Sequence, residues 1–357
     1  MTAGPGAGGT LAPVARIARA GLREYRILLA LLVFGIIVAT QNDSFLTQTN
    51  LLNLGQQWAP IGIMAVGMTF VLIAGGFDLS VGAVYAFSAV LAARMLQDMP
   101  AAAAFPAAIA FGAAVGLGNG LLITKLRVNP FIATLGTALM VRGLLLVCFG
   151  ADPYKIDSGF FRAIGRDKIG AVPVPFVILL AFLVVGAVVL WRSVYGRWIY
   201  ATGGNDDASR LSGVRTDAVR ISTYVLAGGT AAFAGCVFLG RLGTAQANYG
   251  VGIEFDVIAV ALIGGISIMG GEGAMWRTAA GLAFLAVLQN FFNQASVNDN
   301  WQSFVKGAII VGAVAFDSVT RGGRAPRLPR WLRTEPQPLR EPAAAGHNES
   351  TEHDVRA

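Results

Sequence analysis

Ten polar or charged residues stand in or beside long apolar runs: Asp78, Asn119, Asn129, Arg142, Glu254, Asp256, Gln289, Asn290, Asn293 and Lys306. A side-chain amide donates and accepts hydrogen bonds, which is what a hydroxyl partner requires. Amides and a few ions lining a wet path therefore suit passage of an uncharged, polyhydroxylated solute. A proton-coupled path would more often bury several carboxylates or a histidine at mid-depth. Packing is the competing explanation, because intramembrane amides also bridge helices and cap their ends.

Asp78 poses the question most sharply. It lies in AGGFDLSVG, residues 74–82, within a run that is almost uncharged from Trp58 to Ala93. Gly75 and Gly76 let the chain break there. Asp78 is then expected to cap the next span near its cytoplasmic junction, with Ser80 just inside the first turn. A deeper break would instead make the segment part of a discontinuous helix beside the path.

Much other chemistry is absent. No G-x-x-x-x-G-K-[ST] occurs, and GGISIMGGEG is glycine-rich without the lysine that would reach a phosphate. No H-E-x-x-H or G-x-S-x-G is present. The two histidines, His347 and His353, fall in the C-terminal tail, so no histidine base or ligand is expected in the membrane. Cys148 and Cys236 sit in apolar surroundings without metal-ligand spacing. The sequence thus points to no catalytic residues, metal or cofactor, and to no enzyme.

The elements that must position the polar set are membrane spans. The 357 residues are 55% hydrophobic and 13% charged, about half the charged share of a soluble chain. Apolar runs predict an all-α polytopic membrane protein of about ten spans: one from Ile27 to Thr40, then about 58–75, 80–96, 101–123, 130–149, 175–191, 221–239, 255–270, 275–292 and 302–319. The first run lacks a small-residue cleavage pattern and is expected to be retained. A basic segment, 1–26, precedes the spans, and a Pro/Arg-rich tail, 321–357, is expected to be disordered. The net charge of +7 follows the loops, which favours topology and anionic lipid over nucleic acid. Five basic connections fall on one side, so both termini and the 192–220 loop are expected in the cytoplasm.

Two local patterns add detail. Gly112, Gly116 and Gly120 give one helix face a smooth groove for close packing. Phe-Asp recurs at 77–78 and 255–256, and Asn119/Asn129 match Asn290/Asn300 in spacing. Together they suggest that spans 2–5 and 7–10 are inverted repeats.

The longest polar stretch, residues 192–220, contains GGNDDASRLSGVRTDAVR. Asn205 or Asp206 can cap a short helix, Asp206 and Asp207 suit its first turn, and Gly213 can end it. That leaves Leu211 and Val214 available to a partner.

Asp207 to Gly213, DASRLSG, resembles the cytoplasmic motif of ABC importer permeases. More specifically, the chain resembles bacterial ribose/xylose-type sugar permeases. GGFDLSVGAVYAFSAVLAA, NPFIATLGTALMVRGLLLV, YATGGNDDASRLSGV, RLGTAQANYGVGIEFDVIAVALIGGISIMGGEG and WQSFVKGAIIVGAVAFD carry the likeness in order across most of residues 55–320. Asp206-Asp207 replaces the common Glu-Glu, and SIMGGEGAMWRT is an unusual variant, which leaves the sugar open.

The resemblance implies a permease of the bacterial inner membrane that acts in pairs, as a homodimer or with a different permease. It would work with a separate ATPase and an extracytoplasmic sugar-binding protein. It makes residues Gly203, Gly204, Asn205, Asp206, Asp207, Ala208, Arg210, Leu211 and Gly213 the ATPase-coupling segment. The solute path would draw on Asp78, Asn119, Asn129, Arg142, Gln289, Asn290 and Asn293. Sibling permeases for an amino acid, a nucleoside or a signalling sugar remain alternatives, since Arg142 with Asp78 could hold an amino acid's charged groups. An ion-coupled carrier is the third reading, but it has no use for a docking helix.

Overall fold

Thr47 accepts a hydrogen bond from the Asn50 N–H and so opens a long helix ten residues before the apolar run begins. The computed structural model describes residues 25–321, which form thirteen α-helices and four two-residue strands. The expected tail 321–357 beyond Arg321, and nearly all of the expected basic segment 1–26, lie outside the described residues. In chain order the first helices are α1 (Arg26–Gln41), α2 (Gln48–Ile73), α3 (Val81–Met95), α4 (Ala101–Thr124) and α5 (Pro130–Phe149). Then come β1 (Tyr154–Lys155), α6 (Gly159–Gly165), β2 (Lys168–Ile169), β3 (Val172–Pro173), α7 (Val174–Arg192), α8 (Val194–Gly204) and α9 (Asp206–Leu211). The chain closes with α10 (Thr216–Leu242), β4 (Thr244–Ala245), α11 (Ile253–Gly264), α12 (Met275–Gln294) and α13 (Asp299–Arg321). The described residues through Asp317 belong to one packed unit, and the second begins at Ser318.

Five helices, α2, α4, α5, α7 and α10, are long and apolar enough to cross a bilayer; α1 and α3 are shorter apolar helices. One expected span is corrected. The run at 255–270 is not a full crossing, because Gly265 adopts φ +90 and ends α11 after 12 residues. Such a helix is about 18 Å long, well short of a hydrocarbon core.

α10 is the central helix and packs on α4, α2 and α3. The glycine face of α4 supplies the reason. A Cβ on Gly112 would lie 2.3 Å from the Gly228 carbonyl oxygen, and one on Gly116 would lie 2.1 Å from that of Tyr224. Gly228 answers from α10, where a Cβ would meet the Gly112 oxygen at 2.0 Å. Backbone therefore packs on backbone, which is how small residues let intramembrane helices associate.

Two ends of the molecule can be told apart. At one, β1 pairs antiparallel with β4, Tyr154 opposite Ala245, and joins the 151–172 segment to the end of α10. At the other lie α8, α9 and the start of α10. α2 reaches that second end, where its Ile73 carbonyl accepts the Gly271 N–H at 2.8 Å.

Candidate functional site

α3 and α11 are half-length helices whose N-termini meet inside the protein. A Cβ on Gly82 would lie 2.1 Å from Glu254 Oε2 and 3.2 Å from the Gly250 carbonyl oxygen. From that meeting point α3 runs toward the β1–β4 end, where Gln97 Nε2 donates to the Lys155 carbonyl at 3.2 Å. α11 runs the other way, and Gly264 packs on the Arg277 backbone. Helix N-termini carry unpaired N–H groups and partial positive charge. Two of them converge here, and the Glu254 carboxylate lies against Gly82 in the first turn of α3.

A hydrogen-bonded chain leads into this point. Thr137 Oγ1 on α5 donates to Asn119 Oδ1 on α4 at 2.6 Å. Asn119 Nδ2 donates to Ser80 Oγ at 2.9 Å, and Ser80 Oγ donates to Asp78 Oδ1 at 2.6 Å. The Ser80 N–H also donates to Asp78 Oδ1, at 2.8 Å. All four residues are buried, and Asp78 is only 1% exposed. Asp78 therefore does not cap a helix at an exposed junction. It closes a turn one step earlier, α3 starts at Val81, and Asp78 Oδ2 has no hydrogen-bond partner among the described residues. The Tyr224 hydroxyl fixes the preceding residue, accepting from the Phe77 N–H and donating to its carbonyl, both at 3.1 Å.

Arg142 holds the far wall. Its guanidinium donates to the carbonyls of Ala247, Tyr249 and Gly250 at 3.1, 3.0 and 2.7 Å. It thereby pins the loop that leads into α11. Sequence reasoning did not single out Thr137 or this loop as parts of the site. Ser80, read from the sequence as a first-turn residue, instead bonds Asp78 through both its N–H and its hydroxyl.

The other expected path residues are outside this hydrogen-bonded chain, Asn129 on the cavity below the Asp78 break and the rest elsewhere. Asn129 caps α5, accepting from the Phe131 N–H at 2.9 Å. Asn290 Nδ2 donates to Asn50 Oδ1 at 3.0 Å and Asn290 Oδ1 accepts from Gln294 at 2.7 Å. Gln289 donates to Asn293 at 3.1 Å and to Gln302. Lys306 pairs with Asp256 at 3.2 Å, so the two Phe-Asp aspartates have unlike surroundings. Asn50 and Ile73 are 23 residues apart on α2, about 34 Å along a helix. The Gln289–Asn290–Asn293 cluster is thus at the opposite end of α2 from the Asp78 break, and one small solute cannot touch both.

The short helix expected within 192–220 forms as α9, preceded by a further helix, α8, that the sequence reading did not anticipate. Asn205 Oδ1 accepts the Ala208 N–H at 3.0 Å, Asp206 and Asp207 occupy the first turn, and Gly213 has φ +84. Leu211 is 91% exposed, while Val214 packs against the core. Ion pairs fix α9 in place. Arg210 bridges Asp206 (3.1 Å) and Asp217, and Asp217 also pairs with Lys125 at 3.0 Å. Partial burial pushes the Asp206 carboxyl up, but the nearby Thr216 hydroxyl, Arg220 and Arg210 outweigh it and hold it below the usual range. A cavity of about 610 Å³ opens between α9 and the Asp78 break, lined by Gly76, Asn129, Asp206, Arg220 and Tyr224 among others.

Directly behind α9 the backbone is crowded. A Cβ on Gly203 would lie 1.8 Å from the Ile73 carbonyl oxygen and 2.6 Å from the Gly271 nitrogen. The end of α8, the end of α2 and the 265–274 loop therefore touch through glycine backbone.

Residues 50–314 match the family model described as the branched-chain amino acid transport system / permease component. The chain belongs to this permease family. It is accordingly a multi-pass inner-membrane transport subunit and not an enzyme. The permease is 41% identical over 292 residues to the ribose import permease protein RbsC of Bacillus subtilis, covering 81% of this chain and 91% of that one. Against RbsC of Escherichia coli K12 the identity is 38% over 307 residues, 84% and 95% of the two chains. Against the galactose/methyl galactoside import permease protein MglC of the same strain it is 37% over 318 residues, 84% and 95%. No solved structure matches.

Proposed function

We propose that the chain is the membrane subunit of an ATP-driven importer for a monosaccharide of the pentose or hexose class. Asp78, Ser80, Asn119 and Thr137, with the facing N-termini of α3 and α11, form the place where solute passes. The similarity to ribose and galactose import permeases supports a sugar, although the family description names branched-chain amino acids. The observation that carries the choice is the engagement of Arg142. The Arg142–Asp78 pairing that an amino acid's charged groups would draw on is weakened, because this guanidinium already donates to three backbone carbonyls. Amides and hydroxyls remain, and these match sugar hydroxyls.

The α9 end faces the cytoplasm in this reading, because Lys125, Arg127, Arg192, Arg197, Arg210, Arg215 and Arg220 gather there. α9 docks into a groove of a separate ATPase with Leu211 as its apolar contact. The extracytoplasmic binding protein meets the β1–β4 end, and a second permease, in the simplest case a second copy, completes the transport unit. α3 and α11, running in opposite senses from one point, support the reading of two inverted repeats.

Uptake of labelled ribose, galactose and leucine, in cells carrying this chain with its ATPase and binding protein and lacking other routes, tests the assignment. ATP-dependent accumulation of a monosaccharide is expected; accumulation of leucine alone would overturn it. Arg210→Glu places a third carboxylate beside Asp206 and Asp217. It is expected to abolish uptake while the chain stays inserted and ATP hydrolysis continues without stimulation by the loaded binding protein. Unchanged uptake in that variant removes α9 as the coupling element.

A further inference from the structure

The ends of α7, α8 and α12 enclose a recess that the transport reading does not use. Its volume is about 610 Å³, and Leu190, Trp191, Arg197, Tyr200, Met275 and Trp276 line it. α7 is the most apolar of the five spanning helices and ends at Trp191-Arg192. Ser193 caps α8 immediately, and Gly196 lies so close that a Cβ would meet the Leu190 carbonyl oxygen at 2.4 Å. The tight corner sets α8 directly beneath the end of α7. Tyr200 closes the back, its hydroxyl donating to the Gly273 carbonyl at 2.8 Å.

Charge and apolar surface are segregated at this recess: Arg197 lines it, and Arg192 follows the lining Trp191 in sequence without lining it itself. The Arg192 guanidinium carbon lies 4.1 Å from the centre of the Trp191 ring, and that of Arg277 lies 5.5 Å from the centre of the Trp276 ring. Among the described residues neither Arg192 nor Arg197 forms an ion pair with a carboxylate. Trp191 is 75% exposed at the end of its span, and Val184, Val185 and Val188 continue an exposed apolar strip up α7. Tryptophan at a span end marks the level of the lipid headgroups. A ligand for this recess needs an anionic head at the arginines and an apolar body along α7.

We propose that the recess binds an anionic phospholipid, with its phosphate at Arg197, the nearby Arg192 adding charge, and an acyl chain against Trp191 and the α7 valines. A free phosphate compound would satisfy the arginines but leave the apolar strip bare. A soluble protein partner would have to enter the headgroup layer to reach it. Basic pockets beside spanning helices hold lipid headgroups by this combination of charge and shape. The proposal is independent of which solute is carried.

Native mass spectrometry of the full-length permease tests it, with phosphatidylglycerol and phosphatidylcholine of matched acyl chains supplied together. Phosphatidylglycerol is expected to be retained about thirtyfold more than phosphatidylcholine, the scale set by two arginines at about 1 kcal/mol each near an anionic headgroup. Arg192→Gln with Arg197→Gln should bring the two lipids to parity, whereas Arg162→Gln with Lys168→Gln, an equal charge loss at the β1–β4 end, should not. Ala187 also lines the recess, so Ala187→Phe narrows it while keeping both guanidiniums, and should also remove the preference. Excess glycerol phosphate should displace nothing. Equal retention by the wild type, equal loss in the control pair, full retention in Ala187→Phe, or displacement by glycerol phosphate would each overturn the proposal.

Discussion

Asn119→Leu is expected to cut solute uptake roughly tenfold with the permease still present in the membrane. The side chain joins three elements at once, accepting from Thr137 on α5 and donating to Ser80 ahead of α3. Leucine is of similar size but keeps neither bond. Intramembrane hydrogen bonds of this kind are worth about 0.6–1.7 kcal/mol each, so the pair holds about 1–3 kcal/mol. That is enough to shift a two-state equilibrium about tenfold, but not enough to unfold a bundle held by its α4–α10 contact. Ser80 would keep its bond to Asp78, while the Thr137 hydroxyl would lose its acceptor and the N-terminus of α3 its tie to α4. Asn290→Leu provides the contrast. Its partners Asn50 and Gln294 lie at the other end of α2, so uptake near the wild-type level is expected. Labelled-solute uptake normalised to membrane protein checks both. If the two variants behave alike, the Asp78–Asn119 chain is not the passage.

The contrast between these two asparagines shows what could be read in the sequence. Both stand near apolar runs, and residue type alone cannot separate them. What separates them is which helices meet, and that is set by contacts between distant residues such as Gly82 and Glu254. Features determined within a few residues were legible. Asn205, Asp206, Asp207 and Gly213 specified α9 because capping, helix dipole and positive φ are local. The glycine face of α4 was legible as a packing surface, but its partner Gly228 was not. Helix limits failed where polarity and helicity part company. α2 starts at Gln48, in a polar stretch that hydropathy excludes, and α11 ends at Gly265, inside a run that hydropathy extends. Arg142 was read as a path residue, because nothing in its neighbourhood foretells three carbonyls from a loop more than a hundred residues away.

Gly203→Ala is expected to stop transport, while Gly204→Ala is expected to pass unnoticed. The added methyl is the same; the space is not. At Gly203 it would lie 1.8 Å from the Ile73 oxygen and 2.6 Å from the Gly271 nitrogen, whereas at Gly204 the nearest atom is Gly271 Cα at 3.9 Å. The atoms crowded at Gly203 are backbone, and no rotamer change can clear them. The Ile73 and Gly271 groups are also bonded to each other at 2.8 Å, so α8 must move away from both together. Overpacking of this kind costs about 1–3 kcal/mol, and it separates α8 from the end of α2. In the proposed mechanism α9 follows the ATPase and α8 is rigidly joined to it through Asn205. Any push reaches Gly75 and the Asp78 break through this backbone contact. A lower melting temperature is expected for Gly203→Ala than for Gly204→Ala. Below that temperature the chain should still co-purify with its ATPase, yet the loaded binding protein should no longer stimulate hydrolysis. Normal uptake in Gly203→Ala would mean that movement of α9 reaches the path by another route, the ion pairs from Arg210 through Asp217 to Lys125 on α4 being the one the structure offers.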